Sequence, residues 1–364
     1  MPTSRKKPEG PLRRGWTTGA CATAATAAAY QALLTGDFPN PVTITLPRGE
    51  EPSFELVRME LEKAQATASI IKDAGDDPDV THGAEIVVTV ALDNNASGIT
   101  FHAGDGVGTV TRPGLALDVG EPAINPAPRA MMQGVVNDLA RKYDAEKHCV
   151  AISISIPGGE TLASSTMNGR LGIKGGLSVL GTTGVVIPYS CSSWIHSIHR
   201  GVDVARAADI HHIAAATGST SEAAVQEILS LPDWALIDMG DFAGGLLKYL
   251  RKHPIDRLTI AGGIGKLTKL AQGAMDLHSS RSRVDMDVLA DMLASLGADT
   301  STVTKAQAAN TAGEVLEMAE KQGLALGDLI ARQAREAAMA TLSGDTDVDV
   351  MVFDRKGKQV GHAG

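Results

Sequence analysis

Aromatic residues are scarce in this chain, 3% of 364 residues, although 43% are hydrophobic. Its cores must therefore be assembled from Ala, Val, Ile and Leu, and too few rings are present for a base-stacking platform that binds single-stranded nucleic acid. Cysteine is as sparse: Cys21, Cys149 and Cys191 lie far apart and are odd in number. That excludes a disulfide framework and points to a reducing, cytoplasmic setting. Positive charge is in deficit, because 33 Lys and Arg against 42 Asp and Glu leave a net charge of −9. Nonspecific nucleic-acid binding calls for the opposite balance. No stretch is long and apolar enough to span a membrane. Residues 5–14 are basic and Ala20–Leu34 is apolar, as in a targeting signal, but the apolar run is alanine and threonine rather than leucine. Missing too are the G-x-x-x-x-G-K-[ST] phosphate loop, the G-x-S-x-G nucleophile turn, H-E-x-x-H and paired C-x-x-C. His196 and His199, with Cys191 upstream, offer three zinc-type donors and no evident fourth, so a protein-bound metal is not expected.

Glycine, by contrast, is plentiful, and six of its 39 residues fall in Asn168–Val186, NGRLGIKGGLSVLGTTGVV. Between Gly169, Gly172, Gly175, Gly176, Gly181 and Gly184 stand Ile173, Leu177, Val179, Leu180, Val185 and Val186, all expected to be buried. Only Arg170 and Lys174 are charged. A flexible linker would be polar and serine-rich. This pattern reads as a packed, multiply turned loop whose backbone N–H groups and two cations suit an anionic ligand. A glycine-rich turn between two core strands is the plain alternative.

The length favours two domains. An Ala-rich helix is expected over 18–35, with Thr17 or Thr18 as N-cap and Gly36 past its end. Thr17-Thr18-Gly19 would then offer hydroxyls and free N–H groups to a carboxylate or phosphate. Strands follow at 42–46, 53–59, 64–71, 84–92 and 99–103. The third leads into Lys72–Gly83, whose Asp73, Asp76, Asp77 and Asp79 form either a solvated turn or a functional loop. A Ca²⁺ loop fails for want of a closing glutamate and because of Pro78. Gly104-Asp105-Gly106-Val107-Gly108 follows a strand but precedes no helix, which excludes the dinucleotide fingerprint. A proline-braced Glu121–Pro126, a helix over 128–143 and a strand over 150–156 complete an α+β domain to residue 165. Residues 166–364 read as a Rossmann-like α/β domain with a mainly parallel sheet. Its strands fall at 234–239, 257–262 and 347–353, and its helices at 193–216, with a break near Gly201 or Asp209 left open, 241–252, 264–275, 285–296, 303–322 and 325–342.

Thr17–Ala22, Lys72–Thr81, Gly104–Gly108, Pro122–Pro126, Pro157–Glu160, Asn168–Val186 and the run Gly265–Gly273 occur in an order that resembles one family. It is the cobalt-precorrin-5B C(1)-methyltransferase (CbiD) family of anaerobic cobalamin (corrin ring) biosynthesis, matched over residues 12–280. One departure is Cys191-Ser192-Ser193-Trp194, where more acidic residues are expected. The resemblance implies S-adenosyl-L-methionine as methyl donor, cobalt-precorrin-5B as substrate and cobalt-precorrin-6A as product, with cobalt present only as part of the substrate. Such a substrate is a polyanion fringed with acetate and propionate groups. Arg13, Arg129 and Arg170, with Lys72, Lys174, Lys266, Thr17 and Thr18, are the candidates to hold it. Gly172, Gly175, Gly176, Gly181, Thr182, Thr183 and Gly184 are the candidates for the cofactor, with Gly104–Gly108 and Gly262–Gly265 as other placements. Asp73 and Asp76 are the candidates to steady charge or take a proton. The site is expected between the domains. Neither nucleic acid nor membrane is an expected partner, while a homo-oligomer and hand-over to other corrin-pathway enzymes are open. A non-catalytic tetrapyrrole or nucleotide binder is the competing class.

Overall fold

In the computed structural model, which describes residues 10–92, 98–145 and 149–364, the chain divides between Ser190 and Cys191 into two units, each mixing helix and strand. The boundary expected at 165 is displaced because Asn168–Val186 is tied into the first unit by strand pairing. Gly15–Trp16 pairs antiparallel with Val185–Val186, and Thr109–Val110 with Ile173–Lys174.

The first unit runs β1 (Gly15–Trp16), α1 (Thr18–Thr35), β2 (Val42–Thr43), β3 (Ser53–Phe54), β4 (Arg58–Leu61), β5 (Gln65–Ile71), β6 (Glu85–Leu92) and β7 (Ile99–Ala103). There follow β8 (Thr109–Val110), α2 (Pro126–Lys142), β9 (Val150–Ser155), α3 (Gly159–Ala163), β10 (Ile173–Lys174) and β11 (Val185–Val186). Its main sheet has the order β4-β5-β6-β9-β7, antiparallel except that β7 lies parallel to β9. Alternation puts Ala66, Ala68 and Ile70, then Ile86, Val88 and Val90, then Val150, Ile152 and Ile154 on one buried face. α1 lies against β5, β6 and α2, and nearly every residue from Thr18 to Tyr30 is buried. Alanine suits that position, because only a small side chain lets a helix pack closely on several sides at once. The hydroxyls of Thr23 and Thr26 cause no penalty there, donating to the Gly19 and Ala22 carbonyls at 2.8 Å each. Thr17 caps the helix, its Oγ1 accepting the Ala20 N–H at 3.1 Å, and Gly36 closes it at φ 88°.

The second unit runs α4 (Cys191–Ala207), β12 (His212–Ala216), α5 (Ser219–Leu229), β13 (Leu236–Asp238), α6 (Ala243–Leu250), β14 (Arg257–Gly263) and α7 (Ile264–Ala271). It ends with α8 (Met286–Ser295), α9 (Thr300–Gln307), α10 (Ala312–Lys321), α11 (Leu326–Leu342), β15 (Asp347–Phe353) and β16 (Gln359–Ala363). The sheet order is β13-β12-β14-β15-β16, parallel except for the last strand. Of the two breaks left open in the helical pattern over 193–216, the one near Asp209 is found: α4 stops at Ala207, Asp209 turns the chain at φ 56°, and His212–Ala216, expected as helix, is a strand between β13 and β14. Its three consecutive alanines read as helix in isolation, and pairing on both sides overrides that preference. The helix expected over 303–322 is likewise two helices, α9 and α10. Among the described residues no helix is long and apolar enough to cross a membrane.

Candidate functional site

The acidic loop of the first unit closes on the segment preceding α1. Arg13 holds the Asp73 carboxylate with two N–H groups, at 2.5 and 2.9 Å, and its backbone N–H donates to Asp76 Oδ2 at 2.6 Å. The Trp16 N–H adds a bond to the Asp73 carbonyl at 2.7 Å. Such contact requires glycine: a Cβ on Gly75, whose φ is +67°, would stand 2.2 Å from the Arg13 carbonyl oxygen. The hydrogen bond and charge of Arg13 hold the Asp73 carboxyl at about 2. Asp73 is therefore a weak proton acceptor near neutrality. Asp77 differs, since burial pushes its carboxyl above the usual range while Oδ1 accepts the Tyr189 N–H at 2.8 Å. Among four aspartates no sequence signal singled it out. Lys72 is 3% exposed and donates to Asp79 Oδ2 at 2.5 Å and to the Thr81 hydroxyl. Burial alone would raise Asp79, but Lys72 and the Thr81 bonds outweigh it and keep the carboxyl low.

The first turn of α1 faces the glycine-rich stretch, which takes up the donors expected to be open. Thr17 N–H donates to the Gly184 carbonyl at 2.9 Å and Gly19 N–H to the Leu180 carbonyl at 3.0 Å. Thr17 and Thr18 are both buried. The glycines pack on protein as well: a Cβ on Gly181 would lie 2.2 Å from Thr17 Oγ1, and one on Gly176 would lie 2.2 Å from the Gly106 carbonyl oxygen. Gly172 and Gly184 are buried against Arg112 and Leu46. Gly175 is exposed with open space beside it, as is Thr182, while the Thr183 hydroxyl bonds within its own turn to Val185. Ile173, Leu177 and Val179 are buried as expected, but Leu180 is 50% exposed and Val185 and Val186 are half-buried. Leu180 contributes its carbonyl rather than its side chain, a distinction hydrophobicity does not make.

The other predicted cations differ in availability. Lys174 is exposed on β10 and makes no ion pair among the described residues, and Arg170 is half-buried. Arg129 braces the proline-rich segment, with Nε on the Ile124 carbonyl at 2.7 Å, Nη2 on the Pro122 carbonyl at 3.1 Å and Glu121 at 3.2 Å. In the second unit the connection from β12 leads to β13 on one side, while β14 pairs with β15 on the other. The loops after β12 and β14 thus diverge, which is where open parallel sheets hold ligands. Gly218, Gly263 and Gly265 line those loops, and a Cβ on any of them would meet nothing within 4 Å. Lys266 lies beside them, donating to the Thr217 carbonyl at 2.5 Å and pairing with Asp241 at 3.0 Å. His199 is engaged elsewhere, stacked on Tyr249 at 3.9 Å, and Tyr249 in turn stacks on His253 at 4.0 Å. Among the described residues no group of three His, Cys, Asp or Glu is placed to hold a metal ion.

Residues 5–188 match the family model described as CbiD, and residues 276–364 match that described as CbiD, C-terminal domain. A protein of Brucella anthropi named cobalt-precorrin-5B C(1)-methyltransferase is 57% identical over 357 residues, covering 98% of this chain and 97% of that one. One of the same name from a Bradyrhizobium species is 56% identical over 352 residues, covering 96% and 93%. A crystal structure described as cobalamin biosynthesis protein (cbiD) from Archaeoglobus fulgidus is 30% identical, covers 75% of this chain and 84% of its own, and superposes with a TM-score of 0.40. The chain belongs to the CbiD family.

Proposed function

We propose that this chain transfers the methyl group of S-adenosyl-L-methionine to C-1 of cobalt-precorrin-5B, giving cobalt-precorrin-6A in anaerobic cobalamin biosynthesis. The observation that carries this reading is 57% identity across 98% of the chain to proteins bearing that enzyme's name. S-Adenosylmethionine supplies an electrophilic methyl group when bound. The displacement is in line and needs no protein nucleophile, so the residues' work is to orient the reactants and exclude water. Lys174 is the first-unit cation assigned to the ring's acetate and propionate groups, because it is exposed and makes no ion pair among the described residues, whereas Arg13, Lys72 and Arg129 already hold protein groups. Asp73 and Asp76 steady charge from the acidic loop, and Asp77, with its raised carboxyl, is the member suited to taking a proton.

Two placements of the cofactor are open to test. In the glycine-rich stretch, Gly175 and Thr182 are the exposed positions, whereas Gly176 and Gly181 abut protein. The second unit is favoured by its open glycines, and its four parallel strands support a Rossmann-like reading with the cofactor at the β12–β14 switch near Lys266. Incubation with methyl-labelled S-adenosylmethionine and cobalt-precorrin-5B should give labelled pigment; pigment bound without label would indicate a carrier. By equilibrium dialysis, Gly263→Val should weaken cofactor binding while Thr182→Val leaves it unchanged. The reverse outcome returns the cofactor to the glycine-rich stretch.

A further inference from the structure

The sheet of the first unit ends on β4, all four of whose residues are exposed. With the residue before it, the strand reads Val57-Arg58-Met59-Glu60-Leu61: apolar, basic, apolar, acidic, apolar. The Glu62 N–H donates to the Gln65 carbonyl across the hairpin turn at 2.8 Å, so alternation makes Glu60–Thr67 and Arg58–Ser69 the hydrogen-bonded pairs with β5. The peptide groups of Met59 and Leu61 therefore point outward, where no strand among the described residues receives them. Their side chains stand opposite Ala68 and Ala66 and share the face that α1 covers, yet Met59 is 46% and Leu61 43% exposed, with Val57 at 59%. Edge strands are normally blunted by lysine, proline or a bulge; here the Val57 N–H turns in to the Ser69 carbonyl at 2.9 Å beside the Arg58–Ser69 pair, but Met59–Leu61 carries none of these devices.

We propose that β4 pairs antiparallel with β4 of a second copy of this chain, across a two-fold axis at Met59, so that the two sheets become one. Charge selects the register. The outward peptide groups are those of Met59 and Leu61, the Val57 N–H being turned in to Ser69, so odd must pair with odd. Met59 opposite Met59 sets Arg58 against Glu60 of the second copy at both ends. A slip of two residues in one direction opposes Glu60 to Glu60, and in the other Arg58 to Arg58, both unfavourable. The contact is isologous and closes on itself, and it covers Met59 and Leu61 of each copy with those of the other. On the opposite, polar face Arg58 already sits 3.4 Å from Glu85 and 3.7 Å from Glu60 of its own chain, so a second carboxylate completes its surroundings.

This pairing is independent of the catalytic reading, and sedimentation velocity of the full chain over a dilution series tests it. The wild-type protein should be a dimer that dissociates on dilution. Arg58→Glu and Glu60→Arg should each raise the dissociation constant by about tenfold or more, since each puts like charges opposite one another twice. An equimolar mixture of the two variants should dimerise again, because every opposed pair in it is unlike, and the double variant should dimerise alone. Recovery in the mixture also demonstrates that both variants are folded. A wild-type monomer throughout, a dimer that survives both single variants, or a mixture that stays monomeric would each overturn the proposal.

Discussion

Lys72 and Asp73 are neighbours in sequence, yet their charges are held in different ways. The Lys72 ammonium is 3% exposed and depends on Asp79, whose side chain is 22% exposed. Lys72→Met should therefore cost about 3 kcal/mol, the low end for a broken buried pair because water still reaches Asp79. The urea midpoint measures the loss, and Lys72→Met with Asp79→Leu should recover most of it; an unmoved midpoint in the single variant would contradict the pairing. Asp73 and Arg13 are too exposed for such a stability figure. The sign of their pH dependence is nonetheless definite. With its folded-state value lowered to about 2, Asp73 contributes stability above the ordinary carboxylate range, and that contribution fades as the pH falls from about 4 towards 2. Amide protection at Trp16, whose N–H rests on the Asp73 carbonyl, should decline through that window and already be low at neutral pH in Asp73→Asn. Protection that is flat across the window would separate the ion pair from the strap it is taken to fasten.

At the scale of elements, α1 and the glycine-rich stretch form one construction. Gly181 has φ +137°, and a Cβ there would fall 2.2 Å from the hydroxyl that caps α1. Gly181→Val should accordingly lower the melting temperature, by the equivalent of about 1–3 kcal/mol for a strained backbone and a disturbed cap. A variant that melts like wild type would show that the cap yields without cost. The helix itself was legible in the sequence, since Thr17 and Gly36 mark its ends by their own chemistry. So were β5, β6 and β9, whose alternation declares a half-buried strand. β12 was not, because Ala214-Ala215-Ala216 carries no β preference and owes its conformation to neighbours far away in the chain. The glycines were visible as a cluster, but Gly176 and Gly106 are seventy residues apart in numbering and no local pattern tells a glycine that meets a backbone from one that meets a ligand. The Arg13–Asp73 contact was hidden for the same reason: both residues were candidates for the site, and only the fold pairs them with each other.

At the scale of the whole molecule there are two main cores, one running from Ala20 to Val179 and the other from Ile198 to Val352. Trp16 reports on the first, and Trp194 and Trp234 on the second. Urea unfolding should resolve into two transitions. In a protein lacking Trp194 and Trp234, Lys72→Met should shift the midpoint; in one lacking Trp16 it should not. Equal shifts would mean that the two cores unfold as one. The existence of two units followed from chain length, but their border did not, because the short ribbons that bind Asn168–Val186 to the first unit leave little trace in composition. The alanine packing around α1 carries a practical consequence. Cys21 lies fully buried within it, and burial pushes its thiol up to about 12, whereas Cys191 is exposed. An alkylating reagent reacts with thiolate, so it should modify Cys191 at once and Cys21 only in molecules whose first unit has opened. The native chain thus carries its own chemical clock: the slow labelling of Cys21, timed against Cys191, counts openings of the first unit without any denaturant.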